Sequence, residues 1–137
     1  MIDLEADIFT TVATALRAAH SGVFVTSESV PVEAKLPAVS IVEADNRVVE
    51  RMRTLNIENA ASVMYEVNIY SNKASGQKSE AKAIAATLDE VFASIGFTRT
   101  LKNQIPNFND ARIYRIVCRY EAIIDKDFWI YHNSTYL

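Results

Sequence analysis

Cysteine, histidine, glycine and proline are all scarce in this sequence, and each scarcity closes a route. The single cysteine, Cys118, cannot form an internal disulfide. The three glycines stand far apart at 22, 76 and 96, so no loop has the clustered glycines whose backbone N–H groups cradle a phosphate. Nucleotide-binding motifs are therefore excluded, and no cofactor is expected. The two histidines, His20 and His132, have neither partners nor spacing that would collect zinc ligands. His20, at the end of a predicted helix, reads as a favourable partner of the helix dipole. A basic excess is missing too: 14 Lys and Arg against 17 Asp and Glu leave a formal net charge of −3, which disfavours a non-specific hold on DNA phosphates or an anionic membrane. No apolar run approaches the roughly 20 residues of a bilayer span, so no membrane association is expected. The opening MIDLEADIFTTVATALRAAH starts acidic and alternates polar with apolar, unlike a signal peptide, and points to synthesis in the cytoplasm. Without secretion, the glycosylation match at Asn133-Ser134-Thr135 is empty.

What is present is an ordinary apolar content, 50% of 137 residues, enough for one core and one domain spanning 1–137. Leu4, Ile8, Val12, Ala15, Leu16 and Ala19 recur at steps of three and four and predict a helix over 3–20, with Asp3 as N-cap and Gly22 as stop. Ala81, Ile84, Ala85, Leu88, Val91, Phe92 and Ile95 predict a second over 77–95, closed by Gly96. Between them Val63, Tyr65, Val67 and Ile69 alternate with Met64, Glu66, Asn68 and Tyr70, the period of a half-buried strand. AVSIVEA at 38–44 repeats that period, VFVTSESV at 23–30 does so weakly, and IYRIVCRYEAIID at 113–125 does so at length. About four strands and two helices with one apolar stripe each predict an α+β fold, a two-layer sandwich with both helices on one face of a mostly antiparallel sheet.

The segment at 113–125 poses the functional question. One of its faces, Tyr114, Ile116, Cys118, Tyr120, Ala122 and Ile124, is a core; the other mixes Val117 and aliphatics with Arg115, Arg119 and Glu121. That second face, continued by Met64, Glu66, Asn68 and Tyr70, is expected to be left uncovered by the chain and to meet a neighbour. Two more segments stand outside the plan. The loop at 46–62 carries Arg47, Arg51 and Arg53 with no evident partner inside it and is long for a connection between strands. The aromatic tail at 126–137, with Phe128, Trp129 and Tyr131, must fold back on the sheet or dock on another chain.

Few residues suggest chemistry. Cys118 alternates with core residues, where a thiol behaves as a small hydrophobe rather than a nucleophile. Glu121, Asp125 and Asp127 could form a hard-metal hydrolase site, but acids alternating on a charged strand face are more simply solvated charge.

MYEVNIYSNKASGQKSEAKAIAATLDEVFASIGF, followed by IPNFNDARIYRIVCRYEAIID, resembles the tail terminators of long-tailed bacteriophages of Gram-positive hosts, also called tail-completion or tail-to-head joining proteins. The resemblance covers about 36–131: a strand after Pro37-Ala38, a strand ending in IYSN, a Lys/Ala-rich helix ending in Gly-Phe, an Asn-bearing loop and the YR…RYEAIID strand. It implies a structural virion protein of the neck, made in the host cytoplasm. It implies a homo-oligomeric ring of six subunits that ends the tail tube and binds the tail tube protein and a head-tail connector or head-closure protein. DNA would only pass through the lumen. The family has no catalytic residues to carry over. Under this resemblance Arg47, Arg51, Arg53, Glu66, Arg115, Val117, Arg119, Glu121 and Trp129 are the candidate contacts with subunits or partners. A head-closure ring of the same neck, a small metal-dependent hydrolase and a dimeric binding module are the alternatives.

Overall fold

The computed structural model describes residues 1–31, 34–106 and 110–132. Helix α1 spans Glu5–Ala19 and buries Ile8, Val12 and Leu16 of the predicted stripe together with Ala13, while Leu4 and Ala15 are partly buried and Ala19 is exposed. Its N-cap is Leu4, without a side-chain cap, so the expected capping by Asp3 is not found; Asp3 instead accepts a bond from the Glu5 N–H at 3.0 Å. Strands β1 (Phe24–Thr26) and β2 (Ala38–Val48) follow, then a single turn of 3-10 helix at Glu50–Met52 and strand β3 (Ala60–Ser71). Helix α2, Gln77–Ser94, buries Ala81, Ile84, Ala85, Leu88 and Phe92. Strands β4 (Thr98–Gln104), β5 (Tyr114–Asp125) and β6 (Ile130–His132) complete the described chain.

Five strands run in the order β1-β2-β3-β5-β4, and the short β6 pairs with β5 beyond the end of β4. Every pairing is antiparallel except β1 with β2. The sheet is thus wider than the four strands the sequence predicts, because TRTLKNQ at 98–104 is a strand. It has one partly buried residue, Leu101, and a register shift between Arg99 and Leu101, so no apolar alternation marks it. Residues 46–62 are also not one loop: β2 runs on to Val48 and β3 begins at Ala60. The shorter connection carries Arg51 and Arg53 while Arg47 lies in β2, and two of these arginines, predicted to lack a partner within the loop, are paired locally, Arg47 to Asp45 at 2.8 Å and Arg53 to Glu50 at 3.3 Å.

One large core joins the helices to one sheet face. Val63, Tyr65, Val67 and Ile69 of β3 and Ile116, Cys118, Tyr120, Ala122 and Ile124 of β5 pack with the buried stripes of α1 and α2. At its centre Phe92 stacks on Tyr120 with centroids 4.2 Å apart and planes 8° from parallel. Phe97 meets Phe92 and Tyr65 edge-on at 5.4 and 5.5 Å. Phe97 gets there through Gly96, which ends α2 at φ +98. A Cβ at Gly96 would also lie 2.9 Å from Ile130 Cγ2, so both backbone angle and close approach of β6 require glycine.

Candidate interface on the open sheet face

The register places the predicted residues side by side. Glu66 of β3 stands opposite Arg119 of β5, Asn68 opposite Val117, Tyr70 opposite Arg115 and Met64 opposite Glu121, all on the face turned away from the helices. These pairs make a polar lattice within one chain. The Arg115 guanidinium donates to Asn68 Oδ1 through Nε at 3.1 Å and Nη2 at 2.8 Å, and its Cζ lies 5.3 Å from the Tyr70 ring centroid. Such a fork held by an amide and an aromatic face is positioned before any partner arrives. Arg119 approaches Glu66 at 3.9 Å, a half-exposed pair that contributes little by itself. In the structure Glu66 of the same chain stands opposite Arg119. Asp89 is on the other side of the sheet, bonded to Arg99 at 3.0 Å and to the Tyr120 hydroxyl at 3.3 Å.

The face is also less open than the sequence implies. Val117 is 4% exposed and Ile123 6% exposed. Ile123 packs with Val49, Ala60 and Met52, so the turn after β2 folds over that end of β5 as a small second core. Toward the other edge, Ser29 and Val30 overhang Val42, Asn68, Tyr70 and Arg115 and enclose a groove of about 260 Å³.

At the end where β3 begins and β5 finishes, two loop tips stand together, tied by a bond from the Lys126 N–H to the Asn59 carbonyl at 2.9 Å. One tip exposes Leu55 and Ile57, the other Phe128 and Trp129. Leu55 and Phe128 both have positive φ, 56 and 67. Asp125 Oδ1 shapes the second tip by accepting from the Asp127 and Trp129 N–H groups at 2.9 and 3.0 Å. The aromatic tail therefore divides: β6 folds back on β5 while Phe128 and Trp129 stay exposed, and 133–137 lie outside the described residues. Leu55 and Ile57 carry no periodic signal in the sequence; what marks them is a place in the tight Thr54–Ile57 turn, where no strand period buries them.

The candidates for chemistry do not converge. Cys118 is 1% exposed, and burial pushes its thiol up, away from the reactive thiolate. His20 Nε2 is 2.8 Å from Thr87 Oγ1, a link between α1 and α2. Asp125 is engaged by its own turn, and no group of three potential metal ligands is found among the described residues, where the side chain of His132 is not included. No described helix is long and apolar enough to cross a membrane.

No family model matches the chain, and no curated protein matches it. Among solved structures, a chain from the virion of a native gene transfer agent particle has the same fold, with a TM-score of 0.58 and 16% identity, covering 89% of this chain and 94% of that one.

Proposed function

We propose that this chain is a structural protein of a phage-like virion. In this reading it sits in the neck of a long-tailed particle from a Gram-positive host, where a ring of six copies ends the tail tube and joins tail to head. The observation that carries the reading is the fold likeness to a virion chain over nearly the full length of both, 89% and 94%. The sequence resemblance to tail terminators supports the finer position. Features that suit a ring subunit are an open sheet face already organised by Arg115, Asn68 and Tyr70 and paired loop tips bearing Leu55, Ile57, Phe128 and Trp129. Preformed polar faces with exposed aromatic anchors suit association. Arg51, Arg53 and Trp129 at the tips meet the tail tube protein or the connector, while Glu66, Arg115, Arg119 and Glu121 face another subunit of the neck; Val117, buried within the chain, is no longer among the contacts. Arg47, on the open side of β2, borders both. DNA passes the lumen without base-specific contact, in keeping with the net charge of −3.

The test is to make particles without the chain and image them. Filled heads with tails unjoined or of uncontrolled length are expected. Normal particles, with tails of uniform length on heads, would overturn the reading.

A further inference from the structure

Two clusters of opposite charge lie on the helix side of the sheet at opposite edges. Asp3 and Glu5, at the start of α1, act on Glu43 of β2, and Asp7 lies in the same first helical turn. No described ion pair engages any of the four. Burial, and then the negative charges of Glu5 and Asp3, hold the Glu43 carboxyl above its ordinary range, so the cluster repels itself. Beside it the Tyr65 hydroxyl is enclosed without a hydrogen-bond partner of normal geometry, and Glu43, Glu5 and Asp3 all act on it. At the far edge a groove of about 260 Å³ opens between α2 and strands β4 and β5, walled by Lys82, Arg99 and Lys102 with one acid, Asp89, over Cys118 and Tyr120. Arg99 is held by Asp89 at 3.0 Å, while Lys82 and Lys102 are exposed and in no described ion pair.

The register puts one residue of each cluster, Glu43 and Arg99, in the same row. Glu43 pairs with Tyr65, Tyr65 with Tyr120 and Tyr120 with Arg99, one row across the sheet that runs from acid to base. Acids in a first helical turn favour the helix dipole, and rim lysines are ordinarily solvated. Those facts explain each cluster alone. They explain neither a fourth acid acted on by the helix start nor the shared row.

We infer that the acidic start of α1 in one copy docks into the basic groove beside β4 of the next, a head-to-tail contact between copies of this chain. The inference rests on the ring reading above and names the contact that builds the ring. Such a contact joins two unlike patches, and a ring results where its repeated rotation closes. Association by such a contact is steered by charge and weakened by salt.

Charge exchange tests it. Glu5→Lys/Asp7→Lys and Lys82→Glu/Lys102→Glu are each prepared in the full chain, with helical circular dichroism to confirm folding. Association is followed by sedimentation velocity and cross-linking at low and high salt. The unaltered chain is expected to associate more strongly at low salt, each variant alone about tenfold more weakly or worse, and their equimolar mixture to regain association because every contact is again between unlike charges. If both variants associate like the unaltered chain, the contact lies elsewhere although the chain forms rings. If the unaltered chain never associates, yet particles lacking it are unjoined, the contact is overturned and the neck role stands. If particles lacking it are normal, the neck reading fails with it.

Discussion

Glu43 shows how one carboxyl can work against its own fold. Its value is raised in the folded chain, so between the unfolded and folded values the native state holds the proton that the unfolded state has lost, and stability falls as pH rises through that window. Glu43→Gln is therefore expected to raise stability at neutral pH by about a few tenths of a kcal/mol given its partial exposure, seen as a higher melting temperature, with the gain vanishing below about pH 4. Thermal melts across pH check this, and a gain that persists unchanged in acid would assign the effect to packing. Arg119 belongs to the same scale. Standing opposite Glu66, its reversal to Glu should cost about 0.2–1 kcal/mol in the isolated chain by placing like charges across the strands, and Glu66→Arg in the same chain should restore it. Urea unfolding of the two singles and the double makes the comparison. A double variant no better than Arg119→Glu alone would mean the pair does not interact within the chain.

Elements that bury a face were legible and elements that do not were missed. The period of α2 names Leu88 and Phe92, and both are fully buried in the core that holds Val67 and Ile69. Leu88→Ala is accordingly expected to cost about 2–5 kcal/mol in denaturant unfolding, and a loss under about 0.5 kcal/mol would place that stripe on the surface. The edge strand β4 packs almost nothing, with Leu101 alone partly buried, so hydrophobic period could not announce it; its pairing with β5 comes from backbone bonds that any sequence can offer. β1 buries Val25 in the core, and its weak alternation in VFVTSESV did predict a strand there, although only three residues pair, parallel to β2. Which face of β5 is core could be read from alternation. That the second face would be partly closed could not, because its cover is Val49 and Met52, two isolated apolar residues in a connection without a repeat.

At the scale of the whole molecule, apolar exposure is concentrated at one end. Leu55 is 88% and Trp129 68% exposed, so changing them should leave the monomer's stability within about 0.5 kcal/mol while removing the anchors of the tips. Leu55→Asn keeps a residue tolerant of the positive φ there, and Trp129→Ser keeps the backbone bond to Asp125. Together they are expected to fold normally, by unfolding midpoint, and to yield particles whose heads and tails fail to join. Joined particles would remove the tips from the neck contact.

β4 and β6 lie end to end along the outer edge of β5, β4 bonding from Ile116 to Glu121 and β6 from Ala122 to Ile124. The second of these caps is three residues long and rests on Gly96. Protease trimming back to Asp125 would unmask the peptide groups beside Ala122, Ile123 and Ile124 and turn a finished margin into a template for stray strands. Shortening the C-terminal end is thus a route to precipitation during purification, and a handle for capture belongs after β6, never in place of it.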